Sequence, residues 1–257
     1  MKIVYKTASG NKLVLDVSAF LMDREDVPLG NYDRSICGDC KGYNGGCVGF
    51  APHFSILKPS HKHLLVLSVE IDMAWAIMYA HDSGHPKQSN YFRLTYADRL
   101  TEAYLRRILG AIKDKLHGYP LGAGNCSGCG SVVGNKMCGV LIDGKCLHPD
   151  KRTFSMEATH IDCSVLCKQL LGRRLAWWYR DEVIPRYMNR FAGVLLMSDK
   201  IPDLESVYKA DKACVDQSMP LMKEYALFSA TAPEGCVDAG MEYDAYCMSC
   251  EGAEDEQ

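Results

Sequence analysis

At 257 residues, with 47% apolar and 24% charged composition, the chain has the material for a proper core in one large domain or two small ones. A net charge of −3, with no basic stripe or Lys/Arg run, gives no footing for a nucleic-acid surface. The opening MKIVYKTASGNKLVLDV lacks the continuous apolar segment of a signal peptide, and no run of about 18 apolar residues occurs anywhere, which predicts a cytoplasmic protein with no membrane attachment.

Residues 3–7 and 12–20 are β-rich runs separated by Ala8-Ser9-Gly10-Asn11, a turn signal, so the chain is expected to open with a hairpin. Residues 23–36 are polar, carry Pro28 and Gly30, and lead as a loop into CGDCKGYNGGC. There Cys37 and Cys40 are spaced C-x2-C, and Cys47 follows six residues later. A tight turn over two residues points both sulfurs to one side, which a tetrahedral metal or a cluster face requires. Three thiols leave a fourth position to a distant residue, to water or to an exogenous ligand. His53 is a candidate, although a lone histidine in a loop is more often simply solvated. The plain alternative for the triad is three free thiols on a loop.

Residues 63–71 (HLLVLSVEI) predict a central strand, with the apolar stretch continuing through Met73 to Tyr79. His81 and His85 stand four apart, but Gly84 and Pro86 oppose the helix that would bring them together, so chelation is not expected there. Thr95 and Asp98 have the spacing of a capping box opening a helix through about Leu116. Leu100, Tyr104, Ile108, Ala111 or Ile112, and Leu116 recur at the helical period as its buried face, and Glu102 can pair with Arg106 on the other side.

Gly122 to Asp162 is the stretch around which the chain is organised. Cys126 and Cys129 form a C-x2-C pair, Cys138 follows after eight residues and Cys146 after seven more, with seven glycines interleaved through Gly144. No helix or strand is expected to run through it. A loop this long without secondary structure is functional or disordered, and thiols able to turn toward one point favour a cage for an inorganic centre. The odd total of thirteen cysteines supports ligands or redox groups over disulfides in a reducing compartment.

Asp162 is placed to cap a helix over Cys163–Leu171 that Gly172 stops. Cys163 and Cys167 share a face of that helix, where small buried thiols are commonly just packing. A second helix is expected over about Leu175–Asn189 and a last strand over Phe191–Met197. From about Ser198 the pattern weakens. The tail carries Cys214, Cys236 and a C-x2-C pair at Cys247 and Cys250, with eight acidic residues and no Lys or Arg between Thr231 and Gln257. These patterns divide the chain into a cysteine-rich domain, 1–198, and a C-terminal extension, 199–257. They predict an α+β fold, a small sheet covered on one side by helices with long irregular cysteine-rich loops.

With these residues laid out, the chain resembles domain-of-unknown-function family 2284, predicted metal-binding proteins. The family carries an early C-x2-C group, a long helix, a segment like L-G-x-G-x-C-x-x-C, a C-x-H-P and a block like R-P-S-M-E-A-x-G-I-D. This sequence supplies Leu121-Gly122-Ala123-Gly124-Asn125-Cys126-Ser127-Gly128-Cys129, Cys146-Leu147-His148-Pro149, Arg152, Ser155-Met156-Glu157-Ala158 and Ile161-Asp162, in matching order over about residues 35–197. It departs in the wide Cys129 to Cys138 spacing, in Cys47-Val48-Gly49 where Cys-Pro-Pro is usual, and in Thr159-His160 where a glycine is expected. The resemblance implies metal or cluster binding and supplies no substrate.

Zinc and iron–sulfur clusters both accept four thiolates. Zinc ribbons usually close with two C-x2-C knuckles, whereas the central loop has one followed by single cysteines, which favours iron–sulfur, 4Fe-4S in particular. His148, Arg152, Ser155 and Glu157 sit just after the last ligand: Arg152 or backbone donors beside such thiolates offset negative charge and raise the potential, and Glu157 could relay protons at an open iron. The plain alternative is a structural turn in which Arg152 pairs with Glu157 and Ser155 caps a helix. Three functions follow: a redox or electron-transfer protein with one or two clusters; an iron–sulfur enzyme of lyase, desulfidase or sulfur-transfer type with an open iron at Cys37, Cys40 and Cys47; and a zinc-stabilised binding module. No Ser-His-Asp arrangement, phosphate loop or dinucleotide fingerprint accompanies them. The redox partner or small-molecule substrate is not legible.

Overall fold

A computed structural model describes residues 2–6, 12–32, 44–73, 87–124, 126, 128–129, 138–175, 186–197, 203, 205–207 and 209–210. The opening hairpin forms as expected: β1 (Lys2–Lys6) pairs antiparallel with β2 (Lys12–Asp23), Lys6 opposite Lys12. A short helix, α1 (Phe54–Leu57), precedes β3 (His63–Asp72), and α2 (Lys87–Leu116) then delivers the chain to β4 (Tyr119–Gly122). One helical turn, α3 (Gly139–Asp143), lies within the cysteine loop, which ends at β5 (Phe154–Ser155). Helix α4 (Cys163–Leu171) and strand β6 (Tyr187–Leu196) follow. The six strands are ordered β1-β2-β3-β6-β4-β5. Every pairing is antiparallel except β4 with β5, where Leu121 faces Phe154 and Gly122 faces Ser155 in parallel.

Strand β3 is buried from Leu64 through Ile71 without alternation, the pattern of a strand covered on both faces. Leu65, Leu67, Val69 and Ile71 pack with Tyr104, Leu105, Ile108 and Ile112 of α2. Leu64 and Val66 turn the other way, onto Cys163, Leu166 and Cys167 of α4. The helices therefore cover opposite faces, which corrects the expectation of a one-sided sheet. Apolar residues at both odd and even positions of β3 and β6 demand a cover on each side, and each fully buried Leu or Ile favours that arrangement by about 1.5–3 kcal/mol. Val207 and Ala210, beyond the weakening of the pattern at Ser198, also pack into the cluster around α2. One polar pair interrupts the α4 face. Glu70 of β3 accepts a hydrogen bond from Asn189 Nδ2 of β6 at 2.6 Å and pairs with Arg173, while burial pushes its carboxyl up against the opposing pull of that guanidinium.

Three expectations about element bounds differ from the structure. Helix α2 begins at Lys87, so Thr95 lies inside it and does not cap it. No Gly or Pro stands between Lys87 and Thr95 to stop the helix propagating back toward Pro86. Residues 187–189 are strand, because β6 runs the full length of β3 and pairs Asp72 with Tyr187. The expected helix over 175–189 therefore does not reach its end, and 176–185 lie outside the described residues. The cysteine loop, expected to hold no regular element, contains α3 and β5, since Gly144 at φ +76° closes a five-residue helix whose interior carries no further glycine. By contrast α4 has its expected caps: Asp162 Oδ1 accepts from the Ser164 and Val165 amides at 2.9 and 3.0 Å, and Gly172 ends it at φ +70°. His81 and His85 lie outside the described residues.

Candidate metal centre

The cysteine loop leaves β4 and returns at β5, so both ends are held in one hydrogen-bonded ladder beside β6. Its departure is anchored from the sheet side: Arg190 of β6 donates to the Ala123 carbonyl, and Arg190 and Arg106 share the Glu102 carboxylate of α2, Arg106 Nε at 2.8 Å. The expected Glu102–Arg106 pair is thus present, half-buried and braced against Gly124.

Cys126, Cys129, Cys138 and Cys146 are free and partly exposed. The thiol of Cys129 is pushed up by desolvation and then by the charges of Cys138, Cys146 and Cys126, so each of those three lies within electrostatic reach of Cys129. Several backbone amides point at these sulfurs. Gly128 and Thr153 each donate to Cys126 Sγ at 3.4 Å, and Gly45 donates to Cys138 Sγ at 3.4 Å. Among the described residues no three His, Cys, Asp or Glu side chains are gathered at metal-binding distances, so the thiols are neighbours rather than a closed cage. In kind, four soft thiols with amide donors aimed at them match a zinc or iron–sulfur donor set.

The first cysteine group meets the second through a turn at Asn44. Its amide donates to Cys47 Sγ at 3.3 Å, its Nδ2 donates to the Cys126 carbonyl at 2.9 Å, and its Oδ1 accepts from the Gly46 and Cys126 amides at 2.9 and 3.3 Å. Arg152 closes the same turn from the far side. Its Nε and Nη2 donate to the Gly45 carbonyl at 2.9 and 2.7 Å and Nη2 to the Phe50 carbonyl at 3.1 Å, with the guanidinium over the Phe154 ring. Gly46 must be glycine for this approach, because a Cβ there would stand 2.6 Å from Cys126 Cβ and closer still to the Thr153 carbonyl oxygen.

Cys47 therefore stands with the central group, while Cys37 and Cys40 lie outside the described residues. Arg152 binds carbonyls of the Asn44 turn instead of Glu157, whose side chain bonds the buried Cys163 thiol. Ser155 Oγ accepts from the Ala158 amide at 3.0 Å but caps no helix, since the N-cap of the turn Glu157–Thr159 is Met156. His148 is exposed at the start of the turn Pro149–Lys151 and makes no capping bond. His53 is engaged elsewhere: Nδ1 accepts from the Ser55 amide at 3.1 Å. Asn44 was not singled out from the sequence, although Asn44-Gly45-Gly46 is a strong turn signal that could have marked it. Cys163 and Cys167 are fully buried against the sheet, in the packing role expected of them.

A mixed sheet with helices on both faces, supporting a loop of clustered thiols with amides aimed at sulfur, defines a cysteine-rich α+β protein of the metal-binding class. The chain belongs to domain-of-unknown-function family 2284, described as predicted metal-binding proteins, whose model matches residues 21–196. Among curated proteins and solved structures, none matches it. No helix among the described residues is long and apolar enough to cross a membrane.

Proposed function

We propose that this chain is a cytoplasmic iron–sulfur protein working in electron transfer, with Cys126, Cys129, Cys138 and Cys146 as thiolate ligands of a 4Fe-4S cluster. The observation that supports this most is the set of amides from Gly45, Gly128 and Thr153 that donate to two of those sulfurs. Hydrogen bonds to ligand sulfur stabilise negative charge and tune reduction potential. A bound cluster would supply reversible one-electron chemistry. The chain's own residues supply the rest: Arg152 places a fixed cation behind the Asn44 turn, and β4 and β5 fix both ends of the loop. The partner on this reading is a redox protein that approaches the partly exposed thiol face.

Anaerobic purification with iron, sulfide and zinc assays tests the reading. Iron and sulfide in near-equal amounts, a visible absorption band that bleaches on reduction and loss of both in Cys126→Ser would support it. Colourless protein with stoichiometric zinc would favour the zinc-stabilised module, and metal-free protein would end both. Iron lost in separate portions from Cys37→Ser and Cys126→Ser would mean two centres, the Cys37, Cys40 and Cys47 group forming the second. Loss of all iron from either would mean one.

A further inference from the structure

Away from the cysteine loop, two imidazoles meet where three separate segments converge. His160 follows the turn Glu157–Thr159 in the left-handed region at φ +67°, a conformation uncommon outside glycine. It is the position where a glycine was expected. Its Nδ1 accepts the Tyr32 amide at 3.3 Å, its carbonyl accepts the Gly30 amide at 2.9 Å, and its neighbour Ile161 bridges Leu29. The His53 ring lies 4.4 Å from the His160 ring, centroid to centroid. His53 in turn is the N-cap of α1, its Nδ1 accepting from the Ser55 amide at 3.1 Å and lying 2.8 Å from Ser55 Oγ.

Both rings therefore use Nδ1 as an acceptor for a backbone amide, which places the proton of each neutral ring on Nε2. A second proton on either ring removes the lone pair that the amide needs, and two charged rings at this separation repel. The ionisable groups acting on Tyr32, whose amide His160 holds, are Asp162, Cys163 and Glu157, and the one acting on His53 is His160. Asp162 is taken up by the cap of α4 and the Tyr32 hydroxyl, and Glu157 by the Cys163 thiol. Burial, and then the charge of His160, hold His53 below the ordinary imidazole range, in keeping with a ring that works neutral.

We propose that His53 and His160 form a proton-sensitive clasp where the Pro28–Tyr32 segment, α1 and the Glu157–Asp162 turn meet, which holds the Tyr32 and Ser55 amides at neutral pH and lets both go in mild acid. Tyr32 and His53 lie on either side of Cys37, Cys40 and Cys47 in the sequence. The clasp is built from imidazoles and amides alone and does not depend on the metal reading above.

Amide hydrogen exchange at Tyr32 and Ser55, corrected for the intrinsic rate at each pH, tests it. Protection at both amides should fall on the order of tenfold between about pH 8 and pH 5.5, the loss of one net hydrogen bond each. The doubly substituted His53→Asn, His160→Asn protein keeps an acceptor at both places, since Asn caps helices and tolerates the left-handed region, and it cannot titrate there. Its protection should be flat with pH. Unchanged wild-type protection over this range, or a double variant that keeps the wild-type response, would overturn the proposal. If the double variant does not fold, proton NMR of the wild-type rings decides: ring and amide signals must move with a shared midpoint, and independent titration would equally overturn the clasp.

Discussion

Two sets of cysteines in this chain stand under different physical rules. Cys163 and Cys167 sit on one face of α4, fully buried among Leu64, Val66 and Phe191. Burial pushes Cys163 well up and takes Cys167 up to about 11, so both remain thiols and serve as small apolar side chains. Cys126 and Cys138 stand in a partly exposed loop with backbone amides donating to sulfur. Spacing alone does not separate them, for four residues apart on a helix and three apart in a turn both bring sulfurs together. What separates them is what the sulfur faces: hydrocarbon in one case, N–H groups in the other.

The sharpest way to break this contrast is to exchange the roles. Cys126→Ser should cost tenfold or more of the bound metal, measured per folded chain, because a ligand is lost outright. Cys167→Ala should leave metal content unchanged and lower stability by roughly 1–3 kcal/mol in urea denaturation, the cost of a trimmed core side chain. If Cys167→Ala strips metal while Cys126→Ser does not, the two sets have been assigned the wrong way round.

A smaller effect is expected at Asn44. Asn44→Ala removes the side chain that bonds both backbone groups of Cys126, so metal affinity should fall about 10–100-fold, the usual cost of losing a group that orients a ligand. The thermal midpoint of the sheet should change little, and equal losses of affinity and sheet stability would count against a positioning role.

The buried thiols also predict an alkaline limit. Their folded values lie above the ordinary thiol value of 9.0, so above that pH the unfolded chain has released protons that the folded chain retains. Their contribution is whole below about pH 9 and lessens as pH climbs toward 11, with a slope of at most about 1.4 kcal/mol per pH unit per thiol. Urea midpoints at about pH 8 and pH 10 should therefore converge in the Cys163→Ala, Cys167→Ala protein relative to the wild type.

The smallest effect is at the cap that presents Cys163. Asp162→Ala removes the acceptor for the Ser164 and Val165 amides and should cost about 1 kcal/mol of stability, with no loss of metal.

Much of this scaffold was legible because local chemistry and tertiary structure agree. The antiparallel pairing of the two opening β-rich runs, the apolar run of β3, and the Asp162 and Gly172 caps each follow from one short-range rule. The start of α2 and the end of the expected 175–189 helix were misread for a shared reason. A helix extends wherever nothing stops it, and a strand extends as far as its partner offers hydrogen bonds, so Tyr187–Asn189 answer to Asp72–Glu70 across the sheet and not to their own neighbours. The central thiols could be marked from spacing, whereas the docking of Asn44 on Cys126, 82 positions away, could not. That contact depends on the room left by Gly46 and on the reach of Arg152, which no local pattern encodes.

The parallel pairing of β4 with β5 also bears on the wide interval between Cys129 and Cys138. Because departure and return lie side by side on one ladder, the strands carry no record of how much chain is paid out between them. Doubling a flexible span adds only about 0.6 kcal/mol of closure entropy. A longer or shorter interval between Cys129 and Cys138 should therefore leave Leu121 opposite Phe154 and Gly122 opposite Ser155, while Asn44, Gly45 and Arg152 still pin the rest of the excursion.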